Sequence, residues 1–186
     1  MLLKAILILA ALAAVVFLFF RIAPEKSRLL IEDRAGRFPL VSGYNLNRVE
    51  FTFPQDFGAE NNLLIIPFLQ SQQLEVNTWI PELQQIEAET ESFIYYELPT
   101  ISAQPRFSRT FINEGMRAGI PDATARERTI TLYLNKDMFK EAVQIDTEEE
   151  IHLLLVGSDG TILWRTRGSY TSEKAAELRA FLQQES

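Results

Sequence analysis

The chain has 186 residues, 47% of them hydrophobic and 11% aromatic, a globular composition long enough for one domain with a real core. It contains no cysteine and a single histidine, which excludes disulfides, thiolate nucleophiles, iron–sulfur clusters and imidazole-rich zinc sites. The formal charge of -7 is uneven: residues 1–37 carry six Lys/Arg against three Asp/Glu, and residues 38–186 carry twelve against twenty-two. So acidic a body repels phosphate backbones and argues against a nucleic-acid partner.

From Ala5 to Phe20 every residue is apolar, with Lys4 before the run and Arg21 after it. As a helix this run is about 24 Å long. Leu2, Leu3, Ile22 and Ala23, with Lys4 and Arg21 snorkelling to the headgroups, extend it to about the 30 Å of a bilayer core. The sequence therefore predicts a single-pass transmembrane anchor over residues 1–23. Its end, Phe17-Leu18-Phe19-Phe20-Arg21, lacks the small residues of a signal-peptide cleavage site. A lipid-modified anchor would need a cysteine. Arg21, Lys26, Arg28, Arg34 and Arg37 follow the span, which places the domain on the cytoplasmic side by the positive-inside rule. The signal-anchor-like start speaks for the opposite side.

Residues 24–37 mix charges of both signs with one Pro and one Gly and read as a tether. The domain, residues 38–186, is expected to begin near Phe38. Asn62 to Phe68 is a short continuous apolar run, which predicts a central strand buried on both faces. Leu74, Val76, Trp79, Ile80, Leu83 and Ile86 then fall near helical spacing, with Pro81 marking a kink or a new first turn and an end near Thr90. Ser92 to Ile101, rich in aromatic and β-branched residues, reads as a second strand. Phe107 to Ile120 reads as an amphipathic helix with Phe111, Ile112 and Met116 on one side, ended by Pro121-Asp122. Arg128 to Leu134 alternates as a strand with one wet face, and Lys136 to Val143 forms a short helix.

Ile151 to Val156 is an apolar strand, Ser158-Asp159-Gly160 a turn and Thr161 to Thr166 a second strand, together a hairpin. Thr171 or Ser172 then caps a helix whose Ala175, Leu178, Phe181 and Leu182 share an apolar face, with Glu173 at its amino-terminal dipole.

This element order, closed by a hairpin and a helix, resembles the thioredoxin-like superfamily in its peroxiredoxin-type elaboration. The lead-in Phe38-Pro39, Ser42-Gly43, Phe53-Pro54 and Asp56-Phe57 before the buried strand fits the same resemblance. It implies an α/β fold with a central mixed sheet flanked by helices. It also implies a thiol site after the central strand and a cis-proline before the hairpin. Here those positions hold Leu69-Gln70-Ser71-Gln72-Gln73 and Glu148-Glu149-Glu150, so the resemblance implies the fold without its usual redox activity. Within the superfamily the last quarter looks most like the mitochondrial ATP synthase assembly factor family. The residues that carry this are Ile151 to Val156, Gly160-Thr161-Ile162-Leu163-Trp164-Arg165, Gly168 and the helix from Thr171, although the Ser158-Asp159-Gly160 turn departs in detail.

The candidate binding residues are Gln70, Gln72 and Gln73, at the place of the absent thiols, together with Trp79, Arg165 and Arg167. Amides there suit a peptide or a helix cap, Trp79 suits a partner anchor or the core, and Arg165 and Arg167, sharing a hairpin face with Leu163, suit an anionic partner or the Glu148–Glu150 run. Arg126 and Arg128 share a face of another strand and suit Glu127. Ser71 has no nearby base, and His152, alone at the start of a strand, suits a structural role. The stretch Gly115 to Asp122 lacks phosphate-loop spacing and reads as a helix end and a shaped turn. No cofactor is implied. The function expected is a membrane-anchored, redox-inactive binding or assembly module for a membrane complex, not an enzyme. The alternatives are a thiol-independent enzyme using carboxylates such as Asp56, Asp122 or Asp159, and a passive structural envelope component.

Overall fold

The structure, a computed structural model, describes residues 36–184. The anchor over residues 1–23 and tether residues 24–35 lie outside the described residues. Among the described residues no helix is long and apolar enough to cross a membrane. Gly36 and Arg37, assigned above to the tether, are tied to the closing hairpin: Ile162 N donates to the Gly36 carbonyl at 2.7 Å, and Arg37 bridges Thr161.

A sheet of four strands forms the centre. β3 (Asn61–Ile66) lies between β4 (Phe93–Glu97), parallel to it, and β7 (His152–Gly157), antiparallel, with β8 (Ile162–Arg167) antiparallel beyond β7. All six residues of β3 are buried, as the continuous apolar run predicts for a strand covered on both faces. Alternation splits its side chains between two cores. Leu63 and Ile65, with Leu153 and Leu155, pack against Val76, Trp79, Leu83 and Ile86 of helix α1 (Gln73–Glu89) and against Leu178 and Leu182 of the last helix, α5 (Ser172–Gln184). Leu64 and Ile66, with Leu154 and Val156, face the other core. Pro81 sits inside α1 without ending it, and Leu74 points to solvent.

That other core is closed by a second sheet, ordered β2 (Glu50–Phe53), β1 (Val41–Asn45), β6 (Ile130–Leu134) and β5 (Thr100–Ser102). Phe53, Ile130 and Leu132 supply its apolar side, and helix α4 (Lys136–Val143) adds Phe139 and Val143. The β1–β2 hairpin, which has little sequence signal, turns on the Asn45 side chain. Its Oδ1 accepts from Asn47 N at 3.0 Å and Val49 N at 2.8 Å, the pattern by which Asn stabilises turns, with Arg48 left-handed at φ 68.

Five sequence-based assignments are corrected. The strand expected over Ser92 to Ile101 is two strands in different sheets, broken at Leu98-Pro99: Pro99 has no N–H to continue a ladder, and its carbonyl accepts from Leu132 N. Arg126 and Arg128 lie on a short helix, α3 (Ala123–Arg128), whose start Asp122 caps by accepting from Ala125 N, so they share no strand face. Arg128 pairs with Glu87 at 2.6 Å, not with Glu127. The Thr131 and Tyr133 side of β6 turns to a cleft under helix α2 (Arg106–Gly119) rather than to open solvent, with Thr131 buried and Tyr133 half-buried, and Thr129 is buried where it bonds the Ala125 carbonyl. A register shift at Leu155/Val156 turns Leu163 toward the α1 core, so Leu163 does not share a face with Arg165.

Candidate functional site

β3 ends at Ile66, and the chain passes through Pro67, Phe68 and Leu69 into a single 3-10 turn, Gln70–Gln72, before α1. This turn occupies the place where the superfamily resemblance sets a thiol. Gln72 is 2% exposed and all of its described hydrogen bonds go to backbone. Its Oε1 accepts from Phe68 N at 2.7 Å and Leu69 N at 3.0 Å, and its Nε2 donates to the Glu148 carbonyl at 2.7 Å. One amide thus satisfies three backbone groups and joins the turn to the loop before β7 across 76 positions of sequence.

The same loop is pinned at further points. The Glu148 carboxylate bonds Lys136 and, at 2.7 Å, Lys140, and those two ammonium groups hold it below the usual carboxylate range. Lys136 also lies over the Phe68 ring, 5.7 Å from its centroid. His152 holds the Thr147 carbonyl at 2.9 Å and meets Phe68 edge to face. Burial lowers the His152 pKa, which favours the neutral ring and leaves it a structural group.

Of the candidate binding residues, Gln70 and Gln73 are exposed at this end of the domain, beside the half-exposed Leu69 and the exposed Leu74. Gln72 is instead a buried joint. Trp79 has no exposed surface, and its indole N–H donates to the Gly168 carbonyl at 3.0 Å, so it is a core residue and not a surface anchor. Arg165 donates to the Val143 carbonyl at 3.3 Å. Arg167 pairs at 3.3 Å with Glu150, in the acidic run the sequence suggested, and at 3.7 Å with Asp146, outside it. The structure does not draw these six residues into one site.

The carboxylates considered for thiol-independent catalysis are each engaged in turns. Asp56 accepts from Thr52 N at 2.6 Å, Asp122 caps α3, and Asp159 accepts from Thr161 N at 2.9 Å. The carboxyl that does stand out is one the sequence reading passed over as the end of an aromatic strand. Glu97, 8% exposed, lies at the end of β4 and hydrogen bonds to Gln73. Burial pushes its pKa up to about 7, against a weaker opposing effect of the Gln73 bond.

A cleft of about 450 Å³ opens elsewhere, between α2 and the second sheet, lined among others by Tyr44, Glu50, Arg106, Arg109, Thr131 and Tyr133. Tyr133 donates to Asn113 Oδ1 at 2.7 Å and lies under the Arg109 guanidinium, 5.1 Å from the ring centroid. Burial raises the Tyr133 pKa to about 12, so the phenol stays protonated. The buried Thr131 hydroxyl has no hydrogen-bond partner among the described residues.

No protein family matches the chain, and no curated protein does. Solved structures do match in fold. A thiol:disulfide interchange protein from Bacteroides sp. is 14% identical over 80% of this chain and 90% of its own, with a TM-score of 0.51. The fold is thioredoxin-like. The pneumococcal exposed lipoprotein thioredoxin of Streptococcus pneumoniae (10% identity, 78% and 99% of the two chains, TM-score 0.52) agrees. So does the thioredoxin domain of a thiol-disulfide oxidoreductase from Bacteroides vulgatus (15%, 80% and 97%, TM-score 0.51). Those proteins are named for thiol chemistry. This chain has the scaffold and no cysteine with which to perform that chemistry.

Gln72→Ala should leave the buried Phe68 N–H, the part-buried Leu69 N–H and one carbonyl unpaired and lower stability by about 2–4 kcal/mol, whereas Gln70→Ala should stay within about 0.5 kcal/mol, both read by urea unfolding. The Glu97 carboxyl sets a second expectation. Its folded pKa of about 7 exceeds the unfolded 4.5, so its contribution is complete below pH 4.5 and is lost as pH rises through 7. Glu97→Gln should therefore gain on the parent between those values, by on the order of 3 kcal/mol at most above pH 7. A difference that stays constant from pH 4 to 8 would contradict burial of the carboxyl.

Proposed function

We propose that this protein is a membrane-tethered, redox-inactive thioredoxin-like module that binds a protein partner and helps assemble or stabilise a membrane complex. The observation that carries the reading is Gln72: where the superfamily resemblance sets a reactive thiol, the chain has a buried amide spent entirely on backbone. Cysteine is absent from the whole sequence, so no thiol elsewhere replaces it. The scaffold's usual groove, by the same resemblance, accepts extended peptide. At that end this domain presents Leu69, Gln70, Gln73 and Leu74 to solvent, a small apolar and amide surface suited to a protein segment.

Membrane tethering rests on the apolar run Ala5 to Phe20, and the arginines and lysine after it favour the cytoplasmic side. The assembly role rests on the resemblance of the last quarter to ATP synthase assembly factors. A thiol-independent enzyme finds less support, since Asp56, Asp122 and Asp159 are each held in turns or caps.

Proximity labelling from a carboxy-terminal tag on the membrane-bound protein should mark a reproducible set of subunits of one membrane complex, above an untethered control. Leu69→Glu/Leu74→Glu, both exposed and expected to fold, should reduce that labelling several-fold. Diffuse labelling equal to the control would remove the assembly reading.

A further inference from the structure

Helix α2 is turned the wrong way round for a helix packed on a domain. It has no buried residue along its 14 positions. Its polar residues Arg106, Arg109, Thr110 and Asn113, at helical spacing, face the cleft over the second sheet. Phe107 and Phe111, one turn apart, are 84% and 78% exposed, and the stripe continues through the exposed Gly115 and Ala118. Ile112 and Met116 are half-buried, so Phe111 does not share their side as the sequence had suggested. Two almost fully exposed phenylalanines on adjacent turns are a concentrated apolar surface, the kind that marks a site of contact.

The local charge is as unusual as the exposure. Residues 38–186 carry twelve Lys/Arg against twenty-two Asp/Glu, yet α2 carries Arg106, Arg109 and Arg117 against Glu114 alone. Glu114 is itself neutralised by Arg48 at 2.8 Å, which sets the β1–β2 turn, with its exposed Val49, beside the helix. Arg109 is turned inward over Tyr133, but Arg117 and the exposed Arg106, at the rim of the cleft, flank the Phe-bearing helix, a composition found in helices that lie in a bilayer interface. Distance permits it. Only residues 24–35 separate the apolar run from the described domain, a reach of about 40 Å even when fully extended.

We infer that the outer face of α2 rests on an anionic lipid surface, with Phe107 and Phe111 inserted at the headgroup–acyl boundary. The inference rests on the membrane-tethered reading above. Phe107 and Phe111 supply the apolar contact, Arg117 and the exposed Arg106 reach lipid phosphates from the margin of the helix while Arg109 stays over Tyr133, and the acidic remainder of the domain is held away from the same surface by repulsion. The Leu69–Leu74 end stays free for the partner protein.

A chain without cysteine allows a clean test by a single spin label. A Cβ at Gly115 meets nothing within 4 Å, so Gly115→Cys accepts a nitroxide on the stripe while both phenylalanines remain. Glu177→Cys, on the exposed side of α5, is the control. The full chain is reconstituted in vesicles of phosphatidylcholine and phosphatidylglycerol. Oxygen should relax the label at 115 several-fold more effectively than a water-soluble nickel complex, at a depth of about 5–10 Å, and the order should reverse at 177. Phe107→Glu/Phe111→Glu should abolish the difference while the chain still floats with the vesicles. A water-exposed label at 115 in floating chain would overturn the lipid contact and leave the anchor standing. Failure to float would overturn both. Shielding that rises with the protein-to-lipid ratio would overturn it in favour of a second copy of the chain.

Discussion

The side-chain amide of Gln72 is the joint on which this arrangement depends. The turn after β3 and the loop before β7 meet at the end of the central sheet, and both present backbone groups with no ladder to join. Gln72 is long enough to span them and has both an acceptor and a donor, so Phe68, Leu69 and Glu148 are satisfied together. Around it, Lys136, Lys140 and His152 hold the same loop. This end of the fold is closed with hydrogen bonds and ion pairs, and what remains exposed is a small patch of Leu and Gln.

The closing works because the sheet beneath it is sealed on both faces. β3 sends Leu63 and Ile65 to the α1 and α5 core and Leu64 and Ile66 to the core under the second sheet. Each face is thereby fixed by alternation, and a slip of one residue would exchange the two cores. The second sheet in turn provides the platform over which α2 is suspended by polar contacts, chiefly Tyr133 with Asn113 and Arg109. Such contacts, with the half-buried Ile112 and Met116, position the helix without using Phe107 and Phe111, which leaves those two for something outside the domain.

How much of this was legible in the sequence depends on how local the signal is. β3, α1, the β7–β8 hairpin and α5 each carry a full period of apolar residues, and their bounds agree with the reading to within a residue or two. The Ala123–Arg128 helix has no apolar stripe, and its one sign was Asp122, which the reading spent as the end of the preceding helix. The β1–β2 hairpin hangs on the side chain of Asn45, a turn former without an apolar run of its own. Gln72 looked like the other glutamines beside it. Its role depends on a bond to Glu148, 76 positions away, that no local pattern encodes. Periodicity also found α2 but set Phe111 on the side of Ile112 and Met116, because it could not show that polar residues line the cleft.

The central claim, that the buried Gln72 amide joins the turn after β3 to the loop before β7, is tested most directly by hydrogen exchange at single amides in the unmodified protein. The account predicts that the Phe68 and Leu69 N–H groups, held by Gln72, exchange as slowly as those of β3, while Gln70 and Ser71 exchange as exposed turn residues do. Exchange of Phe68 and Leu69 at the rate of Gln70 would show that the joint is open in solution, and would contradict it.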